Sequence, residues 1–142
     1  MPLLLAALVV AALFPPPPSP NYSIQAIHYA TVPNIPVDEL VVGGPQNQKV
    51  DLAMVVWLIR GGGHTILFDS GFHRDTHLKE FPMKDYLRPD EAVKLAGVQP
   101  ADVTDIVISH AHWDHMGGLD LFPKAQVWTP SPATTPRRPT SR

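Results

Sequence analysis

The chain has 142 residues, no cysteine, 17 prolines, 13 acidic and 11 basic side chains, and a formal charge of -2. That length suits one domain, and 44% hydrophobic residues can fill one core. The charge balance excludes the clustered-base footprint of a nucleic-acid binder, and without thiols any metal must be held by imidazole and carboxylate.

Met1–Pro20 carries six prolines and no charged side chain. Its run Leu3–Phe14 is twelve unbroken apolar residues, short of the roughly 20 that span a bilayer, so no stable membrane span is expected. Twelve suits the apolar region of a secretory signal peptide. No Lys or Arg precedes it and no clean Ala-x-Ala site follows, so a short anchor, a buried helix or wrongly included upstream sequence stay open. Localisation divides accordingly: periplasmic or secreted with a signal peptide, cytoplasmic otherwise. Pro15–Pro20 should form an extended polyproline spacer.

Residues 21–128 hold all 13 acids, eight bases and seven prolines, and read as the folded part. Ser23–Val32 alternates loosely and suggests a half-buried edge strand, broken by Pro33 and Pro36. Val50–Ile59 is nearly continuous in apolar residues, as for a strand covered on both faces. Gly61-Gly62-Gly63 supplies a tight reversal, and Thr65–Phe68 returns as a second strand ended by Asp69-Ser70-Gly71. Phe72–Leu87 reads as a loop or broken helix carrying His73 and His77. Pro89–Ala96 predicts a helix, with Pro89 first, Asp90 and Glu91 in its first turn, and Gly97 past its end. Ala92, Val93, Leu95 and Ala96 are its candidate buried side. After a turn at Pro100–Thr104, Asp105–Ser109 is a short buried strand, Leu119–Phe122 a helical turn and Ala125–Trp128 a last strand. The fold class is α/β. Residues 129–142, with four prolines, three arginines and no acid, form a tail expected to be disordered.

The chemistry concentrates at His110-Ala111-His112-Trp113-Asp114-His115, four potential metal ligands in six residues directly after a strand. In an extended segment His110 and His112 point to the same side and can converge on one ion, while Asp114 and His115, past a turn, can face a second. Imidazole with carboxylate suits zinc, and also iron, nickel or manganese. Trp113 and Met116 read as packing beside this loop. Lone His28 and His64 read as surface or satisfied histidines, and His73 and His77, four apart, lack an evident third ligand.

With Asp69-Ser70-Gly71 after the earlier hairpin, this pattern resembles the metallo-β-lactamase superfamily. The stretches Ile24–Val42, Leu52–Phe72, Tyr86–Gly97 and Ile106–Trp128 resemble its N-acyl homoserine lactonase branch. The resemblance implies an αββα sandwich, here its first half, with two divalent metals, usually zinc, at one edge of the sheets. His110 and His112 would hold the first metal and Asp114 and His115 the second. Asp69 would support the loop from behind, and Asp114 could also carry a proton to the leaving group. The implied activity is hydrolysis of a small-molecule lactone or ester, most specifically the lactone ring of N-acyl homoserine lactones. A thioester, phosphoester or β-lactam is the alternative substrate.

The family pattern also has a later His for the first metal, a later bridging Asp and a final His for the second. No histidine follows His115, and Asp120 is the only later acid. The chain therefore reads as a truncated product or as one half of a two-chain enzyme. Metal binding is expected to be weak or partial and the catalytic output uncertain, an inactive fragment included. The uncovered strand faces predict aggregation or partner-dependent folding. Oligomeric state is not readable from the sequence.

Overall fold

The computed structural model describes residues 21–130. The apolar run Leu3–Phe14, the proline spacer and the tail beyond Pro130 lie outside the described residues. Five strands form one mixed sheet in the order β1-β2-β3-β4-β5: β1 Ser23–Pro36, β2 Lys49–Gly61, β3 His64–Phe68, β4 Asp105–Val107 and β5 Gln126–Trp128. The first three pair antiparallel, and β3–β4 and β4–β5 pair parallel. Four short helices accompany them: α1 Val37–Leu40, α2 Asp75–Glu80, α3 Pro89–Leu95 and α4 Trp113–Met116. This is the α/β architecture expected.

β2 turns into β3 at Gly62 and Gly63, whose φ angles of +58° and +82° are those of a two-residue hairpin whose twist matches the strands. The break expected at Pro33 does not occur. β1 runs on to Pro36 because it is an edge strand, where a missing N–H breaks no ladder, and register shifts after His28 and Val32 absorb the irregularity. The segment 84–87 lies along this edge, with Thr31 and Lys84 exchanging backbone bonds of 2.9 and 2.8 Å and Leu87 N–H donating to Tyr29 C=O.

One face of the sheet carries the core. Ile27, Val56, Leu58, Leu67 and Ile106 point there and meet Tyr29, Phe72, Val93, Val103 and Phe122, all buried. α3 packs on this side through Pro89, Asp90, Ala92 and Val93. Leu95, expected inside, is 83% exposed. The buried place goes instead to Asp90, which Arg88 neutralises through hydrogen bonds of 2.5 and 2.7 Å.

β2 is apolar on both faces but, among the described residues, covered on one only. Its register aligns Trp57 with Phe68, Phe68 with Val107 and Val107 with Trp128. Trp57, Phe68 and Trp128 are exposed, so among the described residues the far side of the sheet is an open apolar face.

Candidate metal centre

The parallel pairing of β3 with β4, Phe68 opposite Val107, makes both strands release the chain at the same edge of the sheet. Ligand sites in α/β sheets gather at such carboxyl ends. Asp69 emerges from β3, its N–H still on Val107 C=O at 2.8 Å. Its backbone then turns left-handed, φ +63°, a region that Asp enters more readily than most residues. That turn swings the carboxylate across to the segment leaving β4. Oδ1 accepts the Ser109 backbone N–H at 2.8 Å, while Oδ2 accepts the Ser109 hydroxyl at 2.9 Å and His115 Nδ1–H at 2.7 Å.

Ser70, fully buried, grips the far end of the same loop. Its N–H and its hydroxyl both donate to His115 C=O, at 2.7 and 3.0 Å, and its oxygen accepts Gly118 N–H at 3.2 Å. A Cβ at Gly118 would stand 2.3 Å from Ser70 C=O, so this closeness needs glycine.

Held at both ends, the loop gathers the four candidate ligands. The rings of His110 and His112 have centroids 4.4 Å apart, and those of His110 and His115 are 4.0 Å apart. Asp114 Oδ2 lies 3.2 Å from His115 Nε2. Among the described residues no three His, Asp or Glu side chains are disposed around one point as a formed metal cage.

The donor chemistry nevertheless fits a cation. His115 has a carboxylate on each ring nitrogen, and a neutral imidazole carries a single proton. With Nδ1–H given to Asp69, a bare Nε2 and Asp114 Oδ2 face each other as two acceptors. A divalent cation between these two acceptors would satisfy both. Three imidazoles and a carboxylate are donors suited to divalent zinc, iron, nickel or manganese.

The other histidines do not join this cluster. His73 Nε2 pairs with Asp120 at 2.9 Å, His64 Nδ1 with Asp105 at 2.8 Å, and His28 Nε2 is 2.9 Å from Thr31 Oγ1. His77 stacks flat on Trp113, centroids 4.2 Å apart, with Phe81 stacked on the same indole and Phe72 edge-on to it. This aromatic packet braces α4, the single turn that carries Asp114 and His115.

Three contributors escaped the sequence reading. Ser109 is an ordinary strand-end residue by type, signalled only by its place beside the first histidine, and Ser70 stands inside the Asp69-Ser70-Gly71 motif without a role of its own in that reading. Tyr29 is buried and donates its hydroxyl to Asp114 C=O at 3.5 Å; burial first, and then the charge of Asp114, push its phenol above the ordinary range. Open recesses flank the loop. One of about 210 Å³ brings Val32, Leu52, Met54, Phe81 and Trp113 beside Asp114. Another of about 540 Å³ adjoins His110, Met116 and Leu119.

The model of the metallo-beta-lactamase superfamily matches residues 52–132, a stretch running from β2 through the histidine loop. The chain belongs to the metallo-beta-lactamase superfamily. The N-acyl homoserine lactonase AiiB of Agrobacterium fabrum is 25% identical over 93 residues, 57% of this chain and 34% of that protein. Metallo-beta-lactamase domain-containing protein 1 of Rattus norvegicus is 54% identical over 37 residues, 26% of this chain and 15% of that one. Among solved structures, an N-acyl homoserine lactone hydrolase with N-hexanoyl-L-homoserine bound at its catalytic metal centre superposes with a TM-score of 0.58. It is 18% identical, and the alignment covers 75% of this chain and 46% of that one. The chain thus spans less than half the length of each of these relatives. Family and fold follow from these matches, and the likeness to homoserine lactonases is distant. No described helix is long and apolar enough to cross a membrane.

Proposed function

We propose that this chain carries the metal-binding loop of a hydrolase that opens the lactone ring of N-acyl homoserine lactones. The observation that carries the reading is the convergence of His110, His112, Asp114 and His115 at one sheet edge, with buried Asp69 on the far nitrogen of His115. The similarity to AiiB and the apolar recess beside Asp114, which suits an acyl chain, support the substrate class.

His110 and His112 would hold one divalent ion and Asp114 and His115 another, zinc being the first candidate. Bound there, the ions would polarise the ring carbonyl and bring the deprotonation of water toward neutral pH. The protein's own part is separable. Asp69 and Ser70 fix the loop, Trp113 and Met54 shape an apolar recess that would orient the substrate, and Asp114 would carry a proton to the departing alkoxide. If residues 1–20 act as a signal peptide, the reaction takes place outside the cytoplasm.

The test is ring opening of N-hexanoyl homoserine lactone by the zinc-supplemented chain, beside a thioester, a phosphoester and a β-lactam, with His112→Ala as control. Faster turnover of the lactone, lost in the variant, is the expected result. Preferential thioester or phosphoester cleavage refutes the substrate assignment.

A second reading, a chain that binds metal weakly and catalyses nothing, is favoured by the lack of a formed three-donor cage among the described residues. Metal content after dialysis separates the two: near two equivalents opposes it, near zero supports it.

A further inference from the structure

We propose that Ser109 is a positioning residue that, together with Asp69, locks the proton of both His110 and His115 on Nδ1, so that each ring offers a bare Nε2. A hydroxyl has one proton to give and two lone pairs to receive with, and an ionised carboxylate can only accept. Ser109 Oγ lies 2.9 Å from Asp69 Oδ2, so the hydroxyl proton goes to that oxygen. What remains on Oγ is acceptor capacity alone.

His110 Nδ1 stands 3.0 Å from the same Oγ. The contact is a hydrogen bond only if His110 Nδ1 carries the hydrogen, which leaves Nε2 of the neutral ring bare. His115 obeys the same rule through the carboxylate itself. Its Nδ1, 2.7 Å from Asp69 Oδ2, must be the protonated nitrogen, and it also lies 3.2 Å from Ser109 Oγ. The Ser109 backbone N–H closes the set on Asp69 Oδ1 at 2.8 Å. One buried carboxylate, 6% exposed, and one hydroxyl therefore determine the tautomer of two rings whose centroids are 4.0 Å apart.

The consequence builds on the proposed metal site, because a metal takes the unprotonated nitrogen and the partner of the other nitrogen selects which one that is. His115 uses the carboxylate directly; His110 reaches the same carboxylate through a single hydroxyl. Without the hydroxyl, His110 has no described acceptor for Nδ1–H, and its ring is free to exchange tautomers and rotate.

The experiment uses the full 142-residue chain labelled with ¹⁵N-histidine, free of metal and held well above the ordinary imidazole pKa. Ring ¹⁵N shifts and long-range ¹H–¹⁵N couplings then identify each tautomer, with His110→Gln and His115→Gln assigning the signals. The parent is expected to show Nδ1–H at both rings. Ser109→Ala is expected to move His110 toward Nε2–H while His115, still on Asp69, keeps its proton on Nδ1. Ser109→Thr, which retains the hydroxyl, is expected to restore the parent pattern, and unchanged far-ultraviolet circular dichroism shows that the fold survives. Zinc titrations of the same proteins are expected to weaken by roughly 10- to 100-fold in Ser109→Ala and to recover in Ser109→Thr.

A parent with His110 protonated on Nε2, or a Ser109→Ala variant that retains Nδ1–H at His110, overturns the proposal. Locked tautomers in a parent that ignores zinc would instead uphold the lock and refute the metal reading.

Discussion

Removing the Asp69 carboxylate is the perturbation that most directly separates this account from one in which the histidine loop is merely a polar surface turn. In Asp69→Ala three donors lose their acceptor at once: the Ser109 N–H, the Ser109 hydroxyl and His115 Nδ1–H. An unsatisfied buried donor costs about 1–3 kcal/mol. Ser109 and His115 are half-buried and water reaches part of the gap, so the lower figure, about 1 kcal/mol each, applies. Alanine at a φ of +63° adds about 1 kcal/mol, because it lacks the local polar side chain that lets Asp occupy this region. The total is about 4 kcal/mol, a large part of the roughly 5–15 kcal/mol that holds a domain together.

Asp69→Asn keeps the left-handed preference and one oxygen acceptor and so should cost only about 1–2 kcal/mol. Urea unfolding followed by tryptophan fluorescence measures both. At an m-value of about 2 kcal/mol/M the alanine variant loses about 2 M in midpoint. An alanine variant within about 1 kcal/mol of the parent, or an asparagine variant as damaged as the alanine one, refutes the reasoning.

Gly118→Ala forces a Cβ to 2.3 Å from Ser70 C=O; that carbonyl and the Gly118 backbone that would carry the Cβ are both pinned, and a loss of more than about 2 kcal/mol is expected, read as a lower melting temperature by scanning fluorimetry. Asp105 has its pKa held down to about 2, first by the Thr104 hydroxyl, then by the Trp128 indole N–H and His64. Its contribution to stability is complete above the ordinary carboxylate pKa of about 3.9 and disappears as pH falls from there toward 2. Urea midpoints taken across that window should fall less in Asp105→Asn than in the parent, and equal slopes would contradict the assignment. On the far side of the sheet, Trp57→Lys with Phe68→Lys should reduce concentration-dependent association in sedimentation velocity; unchanged association would place the sticky surface elsewhere.

The order of strands and the place of the histidine loop were legible because they depend on local pattern: the apolar run of β2, the Gly62-Gly63 turn, Pro89 opening α3. What escaped was set by tertiary context. Pro33 looks like a strand breaker until β1 is known to be an edge, and Leu95 looks buried until Asp90 is known to occupy the inner side of α3 with Arg88 as its counter-ion. At the site, the four candidate ligands announced themselves by spacing. Ser109, Ser70 and Tyr29 did not, because serine before a histidine or a tyrosine in a strand has no distinctive spacing. Their partners lie 40, 45 and 85 residues away along the chain.

The arrangement divides two jobs between two kinds of residue. Asp69, Ser70 and Gly118 are buried, bonded to backbone or in contact with it, and contribute no bare donor to a ligand. His110 and His112 are exposed, contribute nothing to the core, and present rings that few described groups restrain. A contiguous motif of potential ligands is therefore only half a specification. The other half is the parallel register that brings the end of β3 beside the end of β4 and puts a carboxylate 46 residues upstream onto His115. In such a design the exposed histidines can change with little effect on the loop, whereas removing the buried carboxylate leaves three donors without their acceptor. Fold and chemistry meet at Asp69: the same three hydrogen bonds that stabilise the edge of the sheet decide which nitrogens face the space where a metal would sit.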